Sequence, residues 1–312
     1  MAKVTYVTLG ERPHVGHIIW LRAMRTLGHE VKLVSLQRPG IPINHGDVLI
    51  TEGVRPTAFG ITQRLFFKCW AAVANSPSIL NPTINKLYTI PDLVISVSRL
   101  IKDLINNDSV IIHPVPPELE MLLKIDVGSR KPWICFSGAF IPIKGLHIIP
   151  EIALHLKNEG IKAEFLLIGG SERDPLGQFI INKAKKLSVE DYIRLINFLP
   201  RAKLFNLLSK CFVYLQSSLF DAFSISVVEA MALGVIPVVT KYAGSKELVE
   251  LIDKSLIRNF KPKDIAETLA LLLTNEKTAK EYSRLSKEVV IGALSFSSIM
   301  DSVNELLEIC LE

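Results

Sequence analysis

Gln216-Ser217-Ser218-Leu219-Phe220-Asp221-Ala222-Phe223-Ser224-Ile225-Ser226-Val227-Val228-Glu229-Ala230-Met231-Ala232-Leu233-Gly234-Val235-Ile236-Pro237-Val238-Val239 leads from one apolar run into another. Residues 212–215 before it read as a strand. Residues 225–233 read as a helix ending at Gly234, and residues 235–239 as a second strand. Strand, helix, strand is the unit of a parallel sheet, because parallel neighbours need a crossover connection. Upstream the same alternation holds: strands at 133–136, 165–168 and 193–198, with helical stretches at 146–156, 178–187 and 202–208 between them. It also fills the first third of the chain. Residues 4–9 read as a strand, followed by a loop with Gly10, Pro13 and Gly16. A helix then runs through Ile18, Leu21, Met24 and Leu27 to Gly28, with further strands at 31–36, 48–51, 93–97 and 110–112. Three prolines in His113-Pro114-Val115-Pro116-Pro117 disfavour both helix and central strand. The expected organisation is therefore an α/β chain of two doubly wound parallel-sheet domains. The first spans residues 1–117 and is short; 118–132 is a linker, 133–295 the second domain and 296–312 a last helix.

Composition bounds the function classes. The chain has 312 residues, 49% hydrophobic and 21% charged, which excludes disordered and fibrous classes. A net charge of +5 suits an anionic small molecule or an anionic membrane face and falls short of the clustered stripe that nucleic acid requires. Mean hydropathy is +0.32, which fits either strands buried on both faces or membrane contact. No uninterrupted apolar run reaches about 18 residues, so no spanning helix is expected. The first residues enter a strand without a signal-like core, which points to a cytoplasmic protein. Cys69, Cys135, Cys211 and Cys310 form no CxxC pair and are expected as buried free thiols. Residues 59–73 mix bulky apolar and basic side chains. They read either as an interfacial helix on an anionic bilayer or as a core helix with two solvated charges.

Chemistry concentrates where strands end. The first turn of the 225–233 helix carries Ser224, Ile225 and Ser226, and its free N–H groups with the positive dipole end suit an anion. Glu229 lies more than a turn in, where a carboxylate suits ribose hydroxyls better than phosphate. From spacing alone, Asp221 as a loop cap and Glu229 as a surface charge remain an equal alternative.

The segment resembles the nucleotide-sugar signature of the retaining glycosyltransferases of family 4, which have the GT-B fold of two Rossmann-like domains facing a central cleft. Their Glu-x7-Glu motif has Asp221 at its first position here and Glu229 at its second, and residues 229–239 follow the pattern almost throughout. The resemblance implies that Glu229 holds the donor ribose, Asp221 the transferred sugar, and the N–H groups near Ser224, Ile225 and Ser226 the diphosphate. Residues 136–146 resemble a second family motif in which Lys144-Gly145 opens a helix and Gly138 lies in the preceding turn. Lys144 would place positive charge on the departing diphosphate. The family's arginine is Ala139 here, and Arg201 or Lys203 is a candidate replacement. Gly169-Gly170 resembles the turn where the base approaches the backbone. Gly10 and Gly16 occupy the family's glycine-loop region, Glu52 the end of a strand where the family has His, and Asn81 another His position at the end of a strand read over 78–81; Gly10, Gly16 and Glu52 are thereby substrate-binding candidates. Together these imply a retaining transfer from a nucleoside-diphosphate sugar to a glycan or lipid-linked glycan. The expectation includes no metal cofactor and no nucleic-acid partner, and peripheral contact with an anionic membrane at the cytoplasmic face. Ala139, Asp221 and Asn81 leave open a degenerate protein that binds without turnover; an epimerase relative would need cleft carboxylates and His that are not found. Of the seven histidines, His14 and His17 lie near the glycine loop and His29 in a Gly-His turn. His45, His113, His147 and His155 show no ligand spacing.

Overall fold

Runs of β-branched and apolar residues build two parallel sheets in the computed structural model, which describes residues 1–37, 46–105, 108–125 and 127–312. His45 lies outside the described residues. The first sheet contains β1 (Lys3–Thr8), β2 (Glu30–Ser35), β3 (Gly46–Glu52), β4 (Phe67–Ala74), β5 (Leu93–Ser96) and β6 (Val110–Ile111), ordered β2-β1-β3-β4-β5-β6. The second contains β7 (Trp133–Ser137), β8 (Glu164–Ile168), β9 (Ile193–Ile196), β10 (Val213–Gln216), β11 (Ile236–Thr240) and β12 (Ile257–Arg258), ordered β12-β11-β10-β7-β8-β9. All pairings within both sheets are parallel. In the second sheet the winding reverses between β7 and β10, and ligands of open α/β sheets gather outside the strand ends at such a point.

The chain divides into a unit of residues 1–117 with 294–312 and a unit of residues 118–293. Within the stretch expected as a linker, Leu119–Leu123 is helical and packs on the helix Ile225–Ala232. In the first unit the C-terminal helix Phe296–Leu311 lies against the helix Ile18–Thr26 and β4, burying Ile299, Val303, Leu306 and Leu307. The stretch Glu276–Leu311 is long and apolar enough to cross a membrane by length and composition alone. Its bonding breaks it into two helices, Glu276–Ala293 and Phe296–Leu311, and the inner face of the second is occupied by its own unit.

Three expectations change here. Residues 59–73 are not one helix: the helix Val54–Gln63 ends in a turn at Arg64–Phe66, and β4 follows as a strand with Trp70 fully buried. A strand buried on both faces loses the alternation that marks half-buried strands, so its apolar run reads like a helix. The four cysteines are joined rather than free: Cys69 to Cys310 in the first unit and Cys135 to Cys211 in the second, with Cα–Cα distances of 5.3 and 6.3 Å. Sequence separations of 241 and 76 residues gave no hint of either pairing. Asn81 stands not at a strand end but at a helix start, its side chain accepting the Thr83 N–H.

Candidate functional site

The loops leaving β7 and β10 run side by side, as their strands are neighbours. Leu219 N–H donates to the Ile143 carbonyl at 2.8 Å and the Ser217 hydroxyl to the Lys144 carbonyl at 3.3 Å. Gly145 makes this approach feasible. It has a φ of +70°, and a Cβ there would lie 1.9 Å from the Ser217 carbonyl oxygen, so no larger residue fits without moving backbone. The result is that Lys144 meets Asp221, Nζ to Oδ2 at 2.6 Å, although 77 residues separate them. The Gln216 amide also donates to Asp221 Oδ2, at 2.7 Å, and to the Ser218 hydroxyl. Backbone bonds from Asp221 N–H to the Tyr242 carbonyl and from Gly244 N–H to the Asp221 carbonyl hold the loop. Lys144 and Gln216 both approach Oδ2, so Oδ1 is the oxygen left to accept a further hydrogen bond.

Beside this pair the helix Ile225–Ala232 begins. Ser224 precedes it, and the first intrahelical bond is Val228 N–H to the Ser224 carbonyl, so the N–H groups of Ile225, Ser226 and Val227 come before any i−4 partner. Ser224 is buried, while Ile225 and Ser226 are half-buried and reachable. Beneath them the buried Tyr214 hydroxyl donates to the Ser137 carbonyl and accepts its N–H, both at 3.0 Å, fixing the end of β7.

A pocket of about 290 Å³ opens at the ends of β7 and β8, lined among others by Ser137, Gly138, Ala139, Gly169, Phe198 and Leu199. Gly169, at φ +115°, lies so near the Gly138 carbonyl that a Cβ would stand 2.3 Å from its oxygen. Gly170 is placed differently from expectation: it is buried under the Phe140 ring and does not line the pocket.

Glu229 faces Arg201. The guanidinium grips Glu118 with two bonds, Nε to Oε1 at 2.8 Å and an Nη to Oε2 at 2.6 Å, and the same Nη donates to Glu229 Oε1 at 2.6 Å. Arg201, expected near phosphate, is thus engaged by two carboxylates. Burial pushes the Glu229 carboxyl above its ordinary value; Arg201 pulls it down by charge and hydrogen bonding, and the Glu118 charge adds to the rise. Glu118 escaped the sequence reading, since a lone Glu after a proline run carries no local signal.

In the first unit the expected contacts are turned inward. Glu52 accepts from the Tyr6 hydroxyl at 3.0 Å and the His14 N–H at 2.9 Å, and its Oε2 stands 3.2 Å from His17 Nδ1. Burial works to raise its carboxyl, but the His17, His14 and Tyr6 bonds hold it below the ordinary value. His17 is fully buried and stacks on Trp20 at 4.0 Å. Gly16 has both backbone groups engaged, its N–H by His14 Nδ1 and its carbonyl by Val115 N–H, and the Gly10 carbonyl accepts the Thr8 hydroxyl. Gly10, Gly16 and Glu52, the substrate-binding candidates of this unit, each also make contacts that hold this loop. Among the described residues no three His, Cys, Asp or Glu side chains cluster as a metal would require.

The model of the family "Glycosyl transferases group 1" matches residues 123–289, more than half of the chain. The chain belongs to the glycosyl transferases group 1 family. Lys144, Asp221, Glu229 and Arg201 all fall inside the matched region of this group 1 chain. Among curated relatives it is similar to the GDP-Man:Man(3)GlcNAc(2)-PP-Dol alpha-1,2-mannosyltransferase of Dictyostelium discoideum. Identity is 31% over 132 residues, covering 38% of this chain and 26% of that protein. It is also similar to the N,N'-diacetylbacillosaminyl-diphospho-undecaprenol alpha-1,3-N-acetylgalactosaminyltransferase of Campylobacter jejuni. There identity is 28% over 154 residues, 48% of this chain and 37% of that one. The chain thus spans roughly a quarter to a third of the length of the curated relatives it matches. An Anabaena protein solved in complex with UDP and glucose shares the fold across 99% of this group 1 chain and 100% of its own, with a TM-score of 0.77 at 13% identity.

Proposed function

We propose that the chain transfers a sugar from a nucleoside-diphosphate donor to an acceptor hydroxyl, with retention of anomeric configuration. The observation that carries this reading is the 2.6 Å pair of Lys144 and Asp221 beside the unpaired N–H groups of Ile225 and Ser226. In this reading the base enters the pocket by Gly138 and Gly169, and Glu229 accepts ribose hydroxyls. The diphosphate lies on the helix start, and Asp221 Oδ1 accepts a hydroxyl of the transferred sugar. As the C1–O bond to the diphosphate breaks, Lys144 and the helix N–H groups offset the charge gathering on the leaving oxygen. The acceptor oxygen bonds to C1 on the face the diphosphate leaves, and its proton passes to a departing phosphate oxygen. Such a path needs no protein base, which fits a first unit whose Glu52 is locked by three donors. Charge compensation comes from Lys144 and the helix, with no metal and no nucleic acid in the reaction.

The acceptor class we propose is a lipid-linked glycan, supported by the names of both curated relatives. We place a membrane contact, at the cytoplasmic face, on the exposed turn before β4: Leu65 is 94% and Phe66 43% exposed, near Arg64 and Lys68, which pair with Asp92 and Asp47. Ala139 in the pocket wall, where the family resemblance leads one to expect arginine, favours a second reading in which the site binds without turnover. Thermal melts with UDP, GDP, ADP and their sugars test both, since a ligand bound only by the native state raises the melting point. Stabilisation by one nucleotide, lost in Lys144→Ala and Glu229→Ala, with release of nucleoside diphosphate from its sugar, supports the transferase. Stabilisation without release supports the binder, and no stabilisation by any nucleotide overturns both.

A further inference from the structure

Arg201 is the side chain whose observed role departs furthest from a phosphate contact. It lies at the start of the helix Arg201–Leu208, with its guanidinium 4.7 Å from the Phe205 ring centroid. Three hydrogen bonds and this ring contact fix its plane, and two of the bonds form a fork on Glu118. Fork pairing is a geometry that only guanidinium supplies. The exposures run in one direction: 40% for the Arg201 side chain, 30% for Glu118 and 3% for Glu229. A cation this open, on a long flexible stem, does not stay over a buried carboxylate unless something outside anchors it. Glu118 supplies that anchor. It immediately precedes the helix Leu119–Leu123, which packs on the helix that carries Glu229. The three groups therefore close a ring: helix to helix by packing, and carboxylate to carboxylate through Arg201.

We propose that Arg201, anchored by Glu118, is a positioning residue that holds Glu229 aimed at the ribose of the bound nucleotide. The inference rests on the reading of Glu229 as the ribose acceptor and adds what makes that carboxylate fit for it. With Oε1 taken by Arg201, Glu229 Oε2 has no protein hydrogen bond among the described residues and is the oxygen presented to a hydroxyl. Burial raises the Glu229 carboxyl, the direction that costs an acceptor lone pair when a proton is taken up, and the Arg201 charge and hydrogen bond act against it. Arg201 opposes this while standing off the phosphates, so its loss is felt at the sugar of the nucleotide rather than at its charge.

The test uses full-length protein and whichever of UDP, GDP or ADP binds the wild type, together with the 2′,3′-dideoxy form of that nucleotide, by titration calorimetry. The wild type discriminates between the two. Arg201→Met is expected to weaken the ordinary nucleotide about tenfold, the effect of one charge-assisted hydrogen bond discounted for partial exposure. Its affinity for the dideoxy form stays unchanged. Arg201→Lys does not restore the fork and behaves like Arg201→Met. Glu118→Gln, which keeps the Arg201–Glu229 bond and serves if Arg201→Met fails to fold, loses discrimination in the same sense by about threefold. The pH below which nucleotide binding fails moves upward in Arg201→Met. Equal weakening of both nucleotides in Arg201→Met would mean that Arg201 contacts phosphate, and would overturn the proposal. Discrimination lost in Glu229→Gln but kept in Arg201→Met and Glu118→Gln overturns this inference alone. Discrimination kept in Glu229→Gln removes the ribose reading, and this inference with it.

Discussion

Replacing Lys144 by Met tests whether the Lys144–Asp221 contact is an energetic unit or only a near approach. The pair is 2.6 Å apart, with side-chain exposures of 24% and 9%. Removing one partner of a fully buried ion pair costs about 3–5 kcal/mol, because the remaining charge is left without compensation. Two features lower that here: Lys144 keeps a quarter of its surface in water, and Asp221 retains the Gln216 amide at 2.7 Å. A loss of about 2 kcal/mol is expected, which in a domain of about 150–250 residues lowers the melting temperature by about 4–8 °C. The informative protein is the double variant Lys144→Met/Asp221→Asn, in which the stranded charge is also gone. It should recover at least half of the loss, giving a coupling of about 1 kcal/mol or more across the cycle. Urea denaturation of the four proteins measures this directly. Turnover should fall about 10²–10³-fold in Lys144→Met, the effect of one missing donor at a developing anion, and should not return in the double variant. Additive stabilities, with coupling under about 0.5 kcal/mol, would refute the idea that this loop pair is assembled around its charges.

Three further outcomes can be measured. Non-reducing peptide maps should contain Cys69–Cys310 and Cys135–Cys211, and reduction should lower the melting point, with about 5.5 kcal/mol as the loop-closure ceiling for the 241-residue separation; four titratable thiols in unreduced, unfolded protein would refute the pairing. Glu52, whose carboxyl is held below its ordinary value of 4.5, contributes stability that is full above that value and is lost as pH falls through the depressed one. Melting temperatures should therefore drop more steeply with acid in the wild type than in Glu52→Gln, and parallel curves would contradict the assignment. Wild-type protein should co-sediment with phosphatidylglycerol vesicles and Leu65→Asp/Phe66→Asp should not; equal sedimentation would remove the membrane contact.

What the chain decides locally was readable locally. Alternating apolar runs and amphipathic stretches determined a parallel α/β architecture, since each run reports how deeply its own element is buried. The anion-suited start of the 225–233 helix was readable from its own residues, whereas roles for Lys144, Asp221 and Glu229 came only through the family resemblance. Limits appeared where burial erased the period, as in β4, where Trp70 sits in a strand that reads as helix. The choice of partners lay beyond any window of sequence. Lys144 finds Asp221 because β7 and β10 are neighbours in the sheet, and Arg201 finds Glu118 across 83 residues and Glu229 across 28. Cysteine pairing and the inward turn of Glu52 toward Tyr6 and His17 belong to the same class. A charge or thiol sets what it can bind, but strand order and helix docking set what comes within 3 Å of it, and those are properties of the packed whole.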